Sequence, residues 1–264
     1  LAAEWLIHQA LDAGSGGVLT KKYKQGVIPA GEQQSFENRL VFSFDTGMVL
    51  NGMMSLYRVS QDEMYLKTAR YIADFLVDRM QREDGFFAWA FNAKTGKTLL
   101  DEPWWSKQGG AFHTKLAVGL LDLAEAIGEK KYEESACRVL EVTIAERQRV
   151  DGRFVNVMEI DMTNIHPHLY TVEGLLYGAK YFRKKEETAT ADAYETAALK
   201  ATKWILDAQH PDGSLPETFD GLKGKFGPSL RVDGLAQVLR LGCLLVRLGK
   251  LEASYIRKLK CLKD

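Results

Sequence analysis

The chain has 264 residues, of which 46% are hydrophobic and 27% charged, so it is long enough to bury a large core. Basic and acidic residues balance at 35 each, and this zero net charge argues against a nucleic-acid partner. No apolar run reaches the length of a bilayer crossing, so we expect no membrane span.

The cysteines narrow the class of protein further. Cys137, Cys243 and Cys261 are far apart and lack Cys-x-x-Cys spacing, which argues against structural zinc and against a disulfide framework. Scattered thiols are typical of a reducing compartment and favour the cytoplasm. Because the chain starts at Leu1 and not at methionine, a leader could have been removed, and the compartment stays open.

An internal repeat runs along the chain. A weak first copy at residues 3–18 places Trp5 and Gln9 where a later copy has Trp204 and Gln209. Three clear copies follow, and each has a tyrosine, an alanine four residues later, an apolar stripe and a Gln-x-x-Asp-Gly ending. The hairpins of this repeat are predicted to end near Gly14, Gly85, Gly152 and Gly213, all within a single domain of residues 1–264.

Two kinds of helix alternate in this repeat. Each copy predicts an amphipathic helix, because apolar residues recur at spacings of three and four. A more apolar, glycine-studded helix precedes each copy after the first, which indicates close approach between helices. These apolar helices are predicted at residues 44–59, 109–127, 168–182 and 230–248. Short stretches after the Asp-Gly pairs, at 86–91, 153–158 and 214–219, predict small loops or hairpins.

The alternation predicts an all-α fold, an α/α toroid of repeated helical hairpins with short β-hairpin loops at one end. A solenoid is the alternative, but its usual repeats are about 33 to 47 residues long. Gln81, Gln148 and Gln209 are 67 and 61 residues apart, and the extra length favours the toroid. We count nine helices, five outer and four inner, where a six-hairpin ring needs twelve. An incomplete (α/α)6-type barrel, a smaller ring or a missing N-terminal part would account for the difference.

The candidate site follows from this architecture. The long loops feed the inner helices, so the first turns of those helices should surround one mouth of the ring, where helix dipoles favour anions. Superposing the repeats places polar groups from four inner helices at one level, namely Asp45, His113, His168 and Asp233. The candidate catalytic residues are these four with Tyr170 and Glu173. The candidate substrate-binding residues are Arg39, Trp104, Trp105, Gln108, His166, Arg231 and Gln237.

Each candidate also has an ordinary structural interpretation. Asp45 and Asp233 lie near helix starts, where aspartate is a common cap. A buried histidine usually belongs to the core, although two at one repeat position favour function. Adjacent tryptophans in a loop suit stacking on the apolar face of a sugar, with loop packing as the alternative. Glu173 lies in an apolar helix and needs a partner, for which Arg231 or a histidine is available.

No motif for a metal or a cofactor is evident. The His-Pro-His at residues 166–168 lacks a third ligand at a known spacing, and His-Glu-x-x-His is absent. The chain also lacks Gly-x-Ser-x-Gly, a P-loop and a dinucleotide-binding glycine motif. We therefore expect neither metal nor cofactor, and no nucleophilic serine chemistry.

The stretch ENRLVFSFDTGMVLNGMMSLYRVSQDEMYLKTARYIADFLV resembles the repeat of six-hairpin, α/α-toroid carbohydrate enzymes. The resemblance is to unsaturated glucuronyl hydrolases and to the C-terminal domain of glucuronyl C5-epimerases, and it covers about residues 30 to 250. The segments GGAFHTKLAVGLLDLAEAIGEKKY and HPHLYTVEGLLYGAKYF are similar to helix pairs in their relatives. The tyrosine-rich segment expected of the epimerases is not clearly present.

The resemblance implies a carbohydrate-active enzyme for a uronic-acid-containing oligo- or polysaccharide, by epimerase, hydrolase or lyase chemistry. Arg39 or Arg231 would hold the carboxylate, and His113, His168 or Tyr170 would exchange a proton beside it. In a hydrolysis, Asp45 and Asp233 would form the acid/base pair. One alternative is a non-catalytic glycan- or protein-binding toroid. The other is a terpenoid or prenyl enzyme, which has a weaker case because its aspartate-rich and zinc motifs are not recognisable.

Overall fold

The computed structural model describes residues 2–12, 14–19 and 39–263. The chain divides into two compact units: unit 1 comprises Leu1–Gly109 with Leu116–Val139, and unit 2 comprises Gly110–Lys115 with Leu140–Asp264. The single domain of residues 1–264 stays a prediction. The part of the family resemblance at residues 30–38 lies outside the described residues.

Unit 1 is built from helices and one small sheet. Its helices are α1 (Ala2–Trp5), α2 (Ser43–Ser60), α3 (Glu63–Phe75), α4 (Ala117–Ile127) and the first part of α5 (Lys130–Arg147), which ends in unit 2. Helices α1 and α3 continue as five-residue π-helical turns, Leu6–Ala10 and Leu76–Met80. The antiparallel sheet consists of β1 (Leu40–Phe42), β2 (Ala90–Asn92) and β3 (Lys97–Thr98), with Leu40 opposite Asn92.

Unit 2 repeats this plan. Its helices are α6 (Ile165–Lys184), α7 (Thr188–Asp207), α8 (Val232–Arg247) and α9 (Ala253–Lys263). Its antiparallel sheet consists of β4 (Met162–Asn164), β5 (Thr218–Asp220) and β6 (Lys225–Phe226), with Met162 opposite Asp220. In both units a three-residue strand leads directly into an inner helix, so the strand sets where that helix begins.

The described residues contain nine α-helices, as the sequence predicts. Two helix starts differ from the prediction by three residues or more. The segment expected to be helical from residue 109 begins as a 3-10 turn, Ala111–Leu116, and becomes α4 only at Ala117. Helix α6 begins at Ile165, three residues early, because Pro167 lies in the first turn, where its missing N–H costs no hydrogen bond.

The Gln-x-x-Asp-Gly endings join each outer helix to the next one. In every clear copy the glutamine Nε2 donates to the carbonyl oxygen of the motif glycine and to a carbonyl oxygen of the following outer helix. The second acceptors are Ser135 in α5 (2.9 Å), Ala197 in α7 (2.9 Å) and Lys258 in α9 (3.1 Å). The motif glycines have φ values of 91°, 101° and 87°, a left-handed conformation that glycine adopts without strain.

The first copy is shifted from the predicted alignment. Leu11, and not Gln9, occupies the position of Gln81: each follows a π-helical turn, and each backbone N–H bonds to the first carbonyl of that turn at 2.9 Å. Leu11 also pairs with Val18 as Gln81 pairs with Phe87. Because leucine has no side-chain donor, this copy lacks the glutamine link.

Close helix approach, predicted from the helical glycines, is confirmed at several of them. A Cβ at Gly174 of α6 would clash with the backbone of Thr114, and a Cβ at Gly119 of α4 would clash with Leu50 and Asn51. At Gly52 the prediction is wrong, because nothing lies within 4 Å of its would-be Cβ.

Candidate functional site

Unit 2 presents a ladder of polar pairs between two inner helices. Helices α6 and α8 contribute one residue each to three successive pairs, offset by 67 residues every time. The pairs are His166 with Asp233, Tyr170 with Gln237, and Glu173 with Arg240. Their spacing of four and then three residues places each set on one helix face. We call these three pairs the ladder.

The first pair of the ladder is a histidine beside a carboxylate. His166 Nδ1 lies 3.3 Å from Asp233 Oδ2. Arg231 donates to both carboxylate oxygens of Asp233, at 3.0 and 2.5 Å, and this guanidinium is the main reason why the pKa of Asp233 is lowered. Burial lowers the pKa of His166 below 6.5. The nearby charge of Asp233 raises this pKa, whereas the charges of Arg231 and Lys115 lower it further. His166 is therefore neutral at pH 7 and can accept a proton.

The pKa of Tyr170 is shifted in the opposite direction to that of His166. Burial raises the pKa of its phenol, and the carboxylates of Glu173 and Asp233 raise it further, against a hydrogen bond from Gln237 that lowers it. Its ring lies edge-on to His166, with centroids 4.5 Å apart, and Lys115 Nζ lies 4.4 Å from the ring centroid. A proton acceptor and a protonated hydroxyl thus lie side by side.

Glu173 is held between two cations. Lys115 Nζ lies 2.9 Å from its Oε2, and the Arg240 guanidinium lies 2.7 Å from its Oε1. The partners proposed for it from the sequence, Arg231 or a histidine, are therefore wrong. Arg231 instead pairs with Asp233 and Glu217, because it precedes α8 while Glu173 lies two turns into α6. The sequence reasoning did not include Arg240 among the site residues.

His168 is fully buried, and both of its ring nitrogens are engaged. Nδ1 accepts from the Phe154 N–H at 3.2 Å and Nε2 lies 3.1 Å from the Ala201 carbonyl oxygen, to which it donates. Burial lowers its pKa to about 4, so it is neutral at ordinary pH. In unit 1 the repeat-equivalent Thr46 accepts the N–H of Val18 in the same way, at 3.1 Å. Position 168 therefore supports the loop, and we do not include its predicted catalytic role in our proposal.

His113 lies in the 3-10 turn of unit 2 and is 1% exposed, with its ring 4.1 Å from that of Phe112. Within unit 2 the structure thus brings together His166, Tyr170, Glu173, Asp233, Arg231 and Gln237, while His113 and His168 are buried in the core. The convergence of these groups with Asp45 stays a prediction.

The candidates in unit 1 are dispersed along the chain. Asp45 is half-buried in the first turn of α2. Arg39 is exposed and donates to Asp12 Oδ1 at 2.5 Å, so its charge is already matched. Gln108 is buried and donates to the Trp104 carbonyl oxygen at 3.1 Å, which holds the loop in place. Trp104 is 64% exposed, whereas Trp105 is half-buried. Trp104 keeps its predicted sugar-stacking role as a hypothesis.

A cavity of about 270 Å³ continues the ladder along α6 and α8. Its lining includes Glu173 and Arg240, followed by Tyr177, Lys180 and four leucines, Leu176, Leu241, Leu244 and Leu248. Tyr177, Lys180 and Arg240 are not among the site residues predicted from the sequence. Their spacing from Tyr170 and Gln237, three or four residues per step, is the signal that could have indicated them.

The described part of the chain offers neither a metal site nor a membrane-spanning helix. No group of three or more His, Cys, Asp and Glu side chains there could hold a metal ion. No helix there is long and apolar enough to cross a membrane.

Several solved structures of carbohydrate enzymes share this fold. A sugar epimerase from a ruminal bacterium aligns over 99% of the chain with a TM-score of 0.77 at 17% identity. A polysaccharide lyase aligns over 94% of the chain with a TM-score of 0.61 at 14% identity. A glycosyl hydrolase family 88 protein from Bacteroides vulgatus aligns over 94% of the chain with a TM-score of 0.64 at 12% identity. The chain spans 66%, 66% and 67% of the lengths of these proteins. The likeness confirms the predicted all-α, α/α-toroid fold.

The sequence itself defines the family. No curated protein sequence matches the chain significantly. Residues 19–178, more than half of the chain, match glycosyl hydrolase family 47. The chain therefore belongs to glycosyl hydrolase family 47. Together with the toroid enzymes above, this supports the predicted relationship to α/α-toroid carbohydrate-active enzymes and disfavours the terpenoid alternative.

Proposed function

We propose that the chain is a carbohydrate-active enzyme that performs acid/base chemistry on a uronic-acid-containing glycan, with the ladder of unit 2 as its reaction site. The observation that carries the proposal is the contact between His166 and Tyr170, whose pKa values are shifted in opposite directions. Pairs of titratable groups with such divergent environments are the usual basis for assigning a base and an acid.

His166 is the proposed base. It is neutral at pH 7, and Asp233 lies against Nδ1, so Nε2 is the nitrogen that would receive the proton. Asp233 does not suit the role of general acid, because Arg231 lowers its pKa and keeps it ionised. Its role is to orient the imidazole and to stabilise the imidazolium that forms. This assignment replaces Asp233 as half of a hydrolytic acid/base pair.

Tyr170 is the proposed acid, because burial and two carboxylates keep its proton in place. Base and acid lie on the same face of α6, so both would meet the sugar from one side. Epimerisation needs groups on opposite faces of the reacting carbon, whereas elimination can use one face. The arrangement therefore favours a lyase among the three reaction types.

The elimination balances with these two residues alone. His166 removes the proton from the carbon beside the carboxylate, and the C–H electrons form a carbon–carbon double bond. The neighbouring glycosidic C–O bond breaks, and the leaving oxygen takes the proton of Tyr170. The proton on His166 returns to Tyr170 through solvent before the next cycle.

A panel of uronate oligosaccharides tests the proposal. Elimination creates a double bond conjugated to the carboxylate, so ultraviolet absorbance should rise with wild-type protein. His166→Ala and Tyr170→Phe should each reduce the rate by about 10²–10⁴-fold. The matched controls His210→Ala and Tyr255→Phe change an exposed histidine and an outer-helix tyrosine, and they should keep the wild-type rate.

The same panel separates the alternatives. Turnover without an absorbance rise would overturn elimination and favour epimerisation or hydrolysis. Binding without turnover, weakened by Trp104→Ala but not by His166→Ala, would favour a non-catalytic glycan-binding protein, since Trp104 is exposed and suited to stacking. If the protein shows no binding and no turnover on any member of the panel, the uronate assignment is contradicted.

A further inference from the structure

We propose that the cavity between α6 and α8 is a binding subsite for an anionic sugar ring, separate from His166 and Tyr170, the two ladder residues that react. This inference deepens the proposed function and rests on it for one point only, that the ring belongs to the same substrate. The cavity holds about 270 Å³, and it is lined by α6 from Glu173 to Lys180 and by α8 from Arg240 to Leu244, with Leu248 just after the end of α8.

The charge of the lining favours an anion. Glu173 is the one carboxylate among the cavity residues, and its two oxygens already face Lys115 and Arg240. Lys180 adds a further positive charge and has no ion-pair partner within the described ranges 2–12, 14–19 and 39–263. The side chain of Arg240 is 55% exposed, so its guanidinium keeps donors for a second acceptor. The surplus of cations attracts a carboxylate or a phosphate.

The remaining wall of the cavity is apolar and favours a ring over a bare anion. Tyr177 lies with its ring 5.9 Å from Lys180 Nζ, so one aromatic face adjoins the cation. Leu244 and Leu248 are 39% and 51% exposed, which leaves apolar surface open to a ligand. A sugar presents a C–H face for such a wall and hydroxyl or acidic groups for the cations. An inorganic anion would leave the apolar wall unused.

Size and distance set the length of the substrate. Pockets for drug-sized ligands hold roughly 300–1,000 Å³, so this cavity suits a single ring. Tyr177 follows Tyr170 by seven residues, which is about 10 Å along a helix. A ring seated against Tyr177 is therefore a different ring from the one that meets Tyr170. The substrate must contain at least two sugar units, with an acidic one in the cavity.

Calorimetric titration of the whole chain tests the subsite. The probes are D-glucuronate, glucose 6-phosphate, D-glucose and inorganic phosphate, and the variants are Lys180→Met and the control Lys200→Met on the exposed face of α7. We expect both acidic sugars to bind more tightly than glucose and phosphate, and the preferred one identifies the anion. Lys180→Met should weaken acidic-sugar binding about tenfold or more, whereas Lys200→Met should leave it unchanged.

Three results would overturn the subsite: equal binding of acidic sugars to Lys180→Met and wild type, equal binding of glucose and glucuronate, or equal binding of phosphate and the acidic sugars. Lys180→Gln repeats the test if the methionine variant fails to fold. His166→Ala separates the two proposals, because it should abolish turnover and keep binding. If no uronate glycan is turned over but Lys180→Met still loses binding, the proposed function fails and the subsite stands.

Discussion

Helices α2–α3 of unit 1 and α6–α7 of unit 2 follow one plan but present different side chains at equivalent positions. In each unit a residue with positive φ, Arg39 (48°) or Asp161 (47°), precedes a strand that pairs with the hairpin after the outer helix. Counting from these strands, Phe44, Met48 and Asn51 of α2 occupy the positions of ladder residues in α6, namely His166, Tyr170 and Glu173. The repeat thus builds the scaffold in both units, and in our proposal side chains on one face of α6 supply the chemistry.

The same comparison shows that an ion pair can be kept while its signs are exchanged. In unit 1, Arg39 at the positive-φ position binds Asp12 at 2.5 Å. In unit 2, Asp161 at that position binds Arg149, which corresponds to Asp12, at 3.0 Å. Arg153 binds Asp161 as well. Since the pair persists with either polarity, it links the strand to the preceding loop in both units, and the substrate-binding role of Arg39 stays a prediction.

The largest expected effect comes from giving α6 a residue of α2. His166→Phe should reduce turnover by about 10²–10⁴-fold, equivalent to roughly 3–5 kcal/mol of transition-state stabilisation, because the base is lost. Phe44→Leu, at the equivalent position of unit 1, should leave turnover within about twofold. Steady-state kinetics on a uronate glycan would measure both. Equal losses in the two variants would break the comparison between the units.

The next effect concerns stability at acid pH. The folded pKa of His168 is about 4 against an ordinary 6.5, so the unfolded chain binds the proton more readily. The stabilisation that comes from keeping His168 neutral is complete above about pH 6.5. As the pH falls toward 4, the free energy of unfolding decreases by a total of about 3 kcal/mol from this residue. Urea unfolding at several pH values would measure the slope of the free energy of unfolding against pH.

The variant His168→Gln should flatten the slope by that amount. His166, whose pKa is also lowered, contributes to the slope in both proteins, so the quantity to measure is their difference. No difference between the two proteins would contradict a neutral, doubly hydrogen-bonded His168.

A smaller effect is expected at the glutamine links. Gln81→Leu, which introduces the residue of the first copy, removes two hydrogen bonds and should lower the free energy of unfolding by about 1–2 kcal/mol. Gln209→Leu in unit 2 should cost the same. Gln9→Leu is the control, and being an exposed substitution it should cost no more than about 0.5 kcal/mol. A larger loss there would argue for the original alignment at Gln9.

The smallest effect is expected from exchanging the charges of unit 1. Arg39→Asp alone brings two carboxylates together and should destabilise by roughly 1 kcal/mol, a value limited because Arg39 is largely exposed. Adding Asp12→Arg should recover at least half of this loss, since unit 2 already has that polarity. A double variant no more stable than the single one would show that the two loops differ in more than sign.

Much of the fold follows from local pattern. The recurring Tyr, Ala and Gln-x-x-Asp-Gly positions predict the outer helices and their glycine stops, and the four apolar segments predict the inner helices. The sequence also indicates Tyr170, Glu173 and Asp233 as polar groups in otherwise apolar helices. These signals are readable because helix periodicity, capping and left-handed glycines depend on neighbours a few residues away.

The partners of those groups required the tertiary structure. The repeat alignment places His113 and His168 together as catalytic candidates, yet His168 hydrogen bonds to the backbone of a loop and of an outer helix. It also leaves Arg240 and Lys180 unnoticed, although α8 and α6 bring them to one cavity. Residues 67 positions apart face each other only because α6 and α8 pack together, so no local pattern indicates their pairing. The energy of a buried charge in turn depends on the group that faces it across that packing contact.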